Sequence, residues 1–428
     1  MTLSWFSIVR LGLVQMALGA IVVLTTSTFN RLMVVELALP AVVPGLLVAL
    51  HYGIQITRPQ WGFKSDTGGN RTKWIIGGMA VLALGGFLSA LSILIAETQM
   101  TAGLMLAFLA YALIGLGVGA SGTSVLALLA TATAPRRRAA AATITWLMMI
   151  AGIAVTAGTV GYFLDPYSPA LLLWIVAIVA GSAVLLTAIA VIGIERGLRI
   201  ERRPDPVPFR EGLQQVWAEP KARNFTIFVF LSMVAYFMQE LILEPYSAIA
   251  FNFTPGQSTS LSGAQNGGVF LGMLTVGIAA TGLKIGSLKG WVIAGCLGSA
   301  ASLIFIAAIG QAGVAQALTA GVIVLGVFNG MFAVAAIGSM MALAGQGRAA
   351  REGTRMGLWG AAQAMAAGAG GLLGALSVDV LQFFVNAPAT AYGTVFAVEA
   401  ALFVASALMA MQILNGATKP VAQMVPGE

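Results

Sequence analysis

Apolar residues run along this chain in blocks of about twenty or more, separated by short polar connections. A helix needs about 20 apolar residues to cross a hydrocarbon core of about 30 Å, so each block is long enough to span a membrane. The pattern predicts spans over 9–28, 35–57, 74–96, 102–132, 140–163 and 170–194. A second series falls over 224–250, 266–284, 290–309, 315–344, 354–378 and 389–414. Barrel strands would instead show alternating segments of about ten residues. The expected fold class is therefore all-α integral membrane, with about twelve transmembrane helices. Composition agrees: 59% of the 428 residues are hydrophobic and 9% are charged, where a soluble domain is about one-quarter charged. The first apolar block has no small-residue cleavage pattern after it and is read as a retained span.

Lys and Arg set the orientation, because cytoplasmic loops collect them. With the N-terminus inside, the cytoplasmic connections hold Arg58, Lys64, Arg71, Lys73, Arg136, Arg137, Arg138, Lys284, Lys289, Arg348, Arg351 and Arg355, while Arg31 alone lies outside. Both termini are thus placed in the cytoplasm. The net charge of +7 follows from this topology. Because the cations are spread over several connections, no nucleic-acid partner is expected.

The longest polar connection carries Pro204, Pro206 and Pro208, then Phe209, Leu213, Val216 and Trp217 at helical spacing, which fits either an interfacial helix or an ordinary loop. It divides the chain into an N-terminal six-helix half (1–195), a cytoplasmic linker (196–223) and a C-terminal six-helix half (224–428). Weak echoes relate the halves. Lys73-Trp-Ile-Ile-Gly-Gly78 is similar to Lys289-Gly-Trp-Val-Ile-Ala-Gly295, and both halves place a basic cluster between their fourth and fifth spans. Six plus six parallel repeats resemble the major facilitator superfamily.

Between spans two and three, Gly62-Phe-Lys-Ser-Asp66-Thr-Gly-Gly69-Asn-Arg71 resembles the signature loop of that superfamily. Glycines permit a tight turn, and a carboxylate can meet a cation or a helix N-terminus. By resemblance Asp66 would latch the two cytoplasmic faces together through Arg136, Arg137 and Arg138 or through the start of span eleven near Gly353. A solvated turn is the plainer alternative. The matching loop of the second half, Gly282-Leu-Lys-Ile-Gly286, lacks the aspartate, so such a latch would be one-sided.

Closer words surround that loop: Asn30-Arg31, Val34-Val-Glu36-Leu37, Pro44-Gly45 and Leu50-His51-Tyr52. With Gly62 to Asp66 they resemble the PucC family of phototrophic bacteria, whose members assist assembly of light-harvesting antennae, and the members tied to the core antenna ring more than those tied to the peripheral one. The resemblance implies a multi-pass protein of the bacterial inner photosynthetic membrane. It implies handling of bacteriochlorophyll a, with carotenoid or lipid as further ligands. The implied partners are light-harvesting α and β polypeptides, the assembling reaction centre with its core antenna, bacteriochlorophyll synthase, the insertion machinery and membrane lipids.

Few side chains in the spans could do chemistry. His51 is the lone histidine; a neutral imidazole can be an axial ligand to a pigment magnesium, or can simply bond a neighbouring helix. Glu240 and Glu244 share one face near the outer end of span seven. Arg31 and Glu36 lie at the matching end of the first half, so Arg31 is expected to pair with Glu240 or Glu244 and close the outer side, unless these charges are merely solvated. Glu399, near mid-membrane, reads as a protonated group bonded to a neighbour or as a proton-coupling carboxylate. Cys296, the single cysteine, reads as a buried small residue.

Gly117-Val-Gly-Ala-Ser-Gly122 matches the dinucleotide fingerprint but lies within an apolar span with no strand before it, so it reads as close helix packing. The expected function is an antenna assembly factor without a catalytic site. The alternative is a transporter of a small, mostly apolar solute, since the spans hold little that could replace the hydration of a charged one. A prenyl-transferring enzyme is set aside because Asp66, Asp165, Asp205 and Asp379 are scattered over both faces rather than clustered around magnesium.

Overall fold

The computed structural model describes residues 3–55, 71–134, 137–195, 214, 217–283, 285–344, 352–385 and 387–413. Every regular element among them is helical. The first half holds α1 (Trp5–Thr26), α2 (Val42–Ile54), α3 (Arg71–Ala96), α4 (Met100–Ala132), α5 (Arg138–Phe163) and α6 (Pro169–Val191). The second holds α7 (Pro220–Phe251), α8 (Pro255–Val276), α9 (Leu288–Ala312), α10 (Leu318–Ala344), α11 (Glu352–Phe384) and α12 (Pro388–Ile413).

Ten of these rods are long and apolar enough to cross a membrane unaided. The two exceptions are informative. Helix α2 has 13 residues, because α1 does not stop where the hydropathy falls: a helical turn (Thr28–Arg31) and a π turn (Leu32–Glu36) continue it outward. Helix α8 begins eleven residues before the expected 266. A capping box starts it, with the Thr254 side chain accepting from the Gln257 amide, and Pro255 occupies the first turn, where its missing N–H costs nothing. Its first turns carry Ser258, Thr259 and Ser262, polar residues that hydropathy assigns to a loop. They are buried, Ser258 and Ser262 against Ser247 and Glu244 of α7 and Thr259 against Thr28 of the other half.

Without a hydrophobic drive between helices in lipid, small residues decide how closely these rods approach. At Gly117 a Cβ would stand 2.5 Å from the Leu82 amide nitrogen, and at Gly78 it would stand 2.5 Å from that of Ser121. Thus α3 and α4 lie backbone to backbone, and the fingerprint-like stretch is helix packing as expected. Gly370 and Gly374 do the same for α11 on α7, where added Cβ atoms would meet the Val234 and Met238 carbonyls.

The halves meet along two seams, α5 against α8 and α2 against α11, with the outer tip of α1 inserted against α7 and α8. In a six-plus-six repeat the two seams are equivalent, since α5 corresponds to α11 and α2 to α8.

Candidate functional site: a polar seal between the halves

Among the described residues, a polar cluster lies where the tip of α1 meets α7 and α8. Its cause is Pro245, inside α7. Proline has no N–H, so the Leu241 carbonyl one turn earlier loses its helical donor. Asn30 supplies the replacement from the other half, its Nδ2 donating to that carbonyl at 2.7 Å. An unpaired buried carbonyl would cost about 1–3 kcal/mol, so the bond missing from one half's helix is supplied by the other.

Glu244, adjacent to Pro245, is 1% exposed. One of its oxygens accepts from the Ser27 hydroxyl of α1 and the Ser262 hydroxyl of α8. Thr28 and Thr259 hydroxyls lie 3.2 Å apart across the same junction. The expected pairing of Arg31 with Glu240 or Glu244 is not what forms. Arg31 bonds Glu36, five residues along the same strand of chain, and donates to the Phe253 carbonyl of the second half at 3.2 Å. The π turn explains the correction, since it swings Glu36 back beside Arg31. Glu240 lies one turn inward on α7 and is half-buried. Tyr167 flanks the group, where burial and then the charges of Glu97 and Glu36 push its hydroxyl up to about 12.

Two further carboxylates bind the seams, each to a helix start in the opposite half. Asp165, just past α5, accepts from the Thr254 hydroxyl at 2.5 Å and the Gly256 amide at 3.1 Å, at the N-terminus of α8. Asp379, near the outer end of α11, accepts from the Ala41 and Val42 amides at 2.9 and 2.7 Å, at the N-terminus of α2. A helix N-terminus presents free N–H groups and a partial positive charge, so an anion is favoured there. The two contacts are related by the pseudo-two-fold axis. An open cleft of about 400 Å³ flanks Asp165 and one of about 530 Å³ flanks Asp379. Sequence reasoning missed both aspartates. The available signal was their matching place, each the lone carboxylate at the outer end of the fifth span of its half.

The remaining expected residues lie elsewhere. His51 is 2% exposed, its Nε2 is 3.0 Å from the Gln55 amide nitrogen, and its ring packs on Tyr52 at 4.7 Å. Its backbone carbonyl is so close to α4 that a Cβ on Gly115 would stand 2.7 Å away. In this conformation the imidazole is enclosed by protein. Glu399 is fully buried, and neither carboxylate oxygen has a hydrogen-bond partner among the described residues. The neighbour expected to bond it is absent from the described set. Arg71 starts α3 by donating to the Ala127 carbonyl, while Glu195 accepts the Arg71 and Thr72 amides at 3.1 and 3.0 Å. The Arg137 guanidinium stacks on Trp5. Gly62, Asp66, Gly69, Arg136 and the side chain of Arg138 lie outside the described residues. Cys296 is buried, as expected.

Comparison with known proteins adds two results. In the solved structures the fold is similar to a bacterial homolog of the human lysosomal transporter Spinster, inward-facing and occupied (TM-score 0.69, 12% identity, 95% of this chain and 96% of that one). It is equally similar to a POT family transporter in complex with a thioalcohol-conjugated peptide (TM-score 0.70, 13% identity, 96% of each). At such identities the likeness shows the major facilitator fold alone. Among curated proteins, the chain is 64% identical over 416 residues to the "Bacteriochlorophyll synthase 44.5 kDa chain" of Rhodobacter capsulatus, covering 97% of this chain and 96% of the relative. It is 29% identical over 440 residues to "Protein PucC" of the same organism, covering 95% and 92%. The model of the family described as "PUCC protein" matches residues 28–418. That match begins at Thr28, inside the seal, and takes in Asn30, Arg31, Asp165, Glu244 and Asp379. The chain therefore belongs to the PucC family.

Proposed function

We propose that this protein is an assembly factor for a bacterial light-harvesting antenna. Its client is the core antenna rather than the peripheral one, and its work is to bind or deliver bacteriochlorophyll a, antenna α and β polypeptides, or both during ring assembly. The observation that carries the reading is the family match over nearly the whole chain. The name of the 64% identical relative places that relative's subject in bacteriochlorophyll metabolism. That name also raises an enzyme. Against catalysis by this chain, two of its membrane carboxylates, Asp165 and Asp379, are bound to helix ends and Glu244 to two hydroxyls, which suits a machine that holds two halves together. Pigment would be met by apolar surface rather than by His51.

The test is an absorption spectrum with pigment extraction, on protein purified in mild detergent from a phototrophic host lacking antenna polypeptides. Stoichiometric bacteriochlorophyll supports pigment delivery. A colourless, folded protein that captures antenna polypeptides supports the peptide client, and binding of neither sinks the proposal. A second reading, a transporter of an apolar solute, draws on the outer seal and on the fold shared with transporters. It predicts solute uptake into proteoliposomes by a chain whose deletion leaves antenna levels intact.

A further inference from the structure

The seal holds an unbalanced set of buried polar atoms. Glu244 Oε1 accepts from two hydroxyls, while Oε2 has no donor among the described residues. Arg31 directs one terminal nitrogen to Glu36 and the other to Phe253, leaving its Nε without an acceptor among them. Both residues are nearly inaccessible, 1% and 3% exposed. The cation stands beside Glu244 but is engaged elsewhere. An ionised carboxylate buried without a bonded cation is costly, by several kcal/mol, whereas a neutral carboxyl avoids most of that penalty.

We propose that Glu244 is a proton-binding site that controls the outer seal: with a proton bound, the carboxyl sits between Ser27 and Ser262 and joins the halves; when the proton leaves, the seal loosens. The reaction is the simple transfer of one proton from the Glu244 carboxyl to water, leaving a carboxylate. That carboxylate has two sources of relief, the idle Nε of Arg31 and water admitted as the tip of α1 moves off α7. The facing groups support this assignment. Helix α8 presents the hydroxyls of Ser258, Thr259 and Ser262, the α1 tip presents Arg31 with its partner Glu36, and α7 itself adds Glu240 one turn inward. Among the described carboxylates, Glu244 alone is shared by hydroxyls from both halves. This inference does not depend on the antenna reading, and it holds for any cargo.

The test places spin labels at Thr98→Cys, outside on the first half, and Gln311→Cys, outside on the second, in a Cys296→Ala background. The distance distribution is then followed from about pH 5 to about pH 9, with full-length protein in lipid nanodiscs. The expected result is a long-distance population that grows about tenfold per pH unit before it saturates, because the neutral-to-ionised ratio changes by that factor. Glu244→Gln keeps the oxygen that both serines use and cannot ionise, so it should hold the short distance at every pH. Should that variant fail to fold, Glu36→Gln provides the second reading: it releases Arg31 to neutralise Glu244 within the seal, and the pH response should shrink. A wild-type distribution that ignores pH overturns the proposal. So does a titration that survives unchanged in Glu244→Gln or Glu36→Gln, or a response to sodium at fixed pH with none to protons.

Discussion

Asp379→Asn isolates one seam of the outer seal. The carboxylate accepts the Ala41 and Val42 amides at 2.9 and 2.7 Å, so each oxygen carries one charge-assisted bond to the start of α2. Asparagine is the same size but offers one acceptor oxygen and no charge. It would turn one bond into a neutral one and lose the other. Hydrogen bonds to charged groups contribute about 1.5–3 kcal/mol and neutral ones about 0.5–1.5, and the site is half-exposed, so the net loss should be about 2 kcal/mol. At about 1.4 kcal/mol per factor of ten, the outer-open population should rise about 30-fold. Ala375 is fully buried on α11 and faces Gly45 of α2, whose added Cβ would stand 3.2 Å from it. A cysteine placed there, in a Cys296→Ala background, should react with an impermeant maleimide about 30 times faster in the Asp379→Asn protein. An unchanged rate in a folded variant would refute the claim that this carboxylate holds the seam shut.

Asp165→Asn acts at the equivalent seam, distant from Asp379 and sharing no partner with it. The combined variant should therefore multiply the two labelling rates, and a double variant no faster than the better single would show that the seams do not share one equilibrium. Asn30→Ala should lower the thermal midpoint through loss of about 1–3 kcal/mol, because the Leu241 carbonyl is left bare; Pro245→Ala in that background should recover much of it by restoring the helical N–H, and no recovery would break the argument. His51→Leu should reduce stability modestly yet leave co-purified pigment unchanged, and a proportional loss of pigment on absorption spectra would restore the histidine as a ligand. Gly117→Leu should prevent stable folding as judged by size-exclusion profile, since its Cβ has no room beside Leu82.

The sequence by itself determined the quantities that depend on one helix at a time. Runs of apolar residues require spans, and the Lys and Arg bias orients them, so the all-α membrane class and the positions of most helices were readable. The family words around Asn30 and Arg31 were readable too, though not their task. What the tertiary structure decided is partner choice between helices. Arg31 lies in a stretch that hydropathy cannot shape, and only the π turn brings Glu36 to it in preference to Glu244. The first turns of α8 look like a loop because their serines and threonines are polar, and become a buried helix because α7 supplies partners to Ser258 and Ser262 and the other half supplies one to Thr259. Asp165 and Asp379 look like scattered loop acids until the halves are docked and each meets a helix start that is far away in sequence. Pairing of this kind depends on which backbone groups remain unsatisfied once the helices have formed, a property of the assembled bundle that no local pattern records.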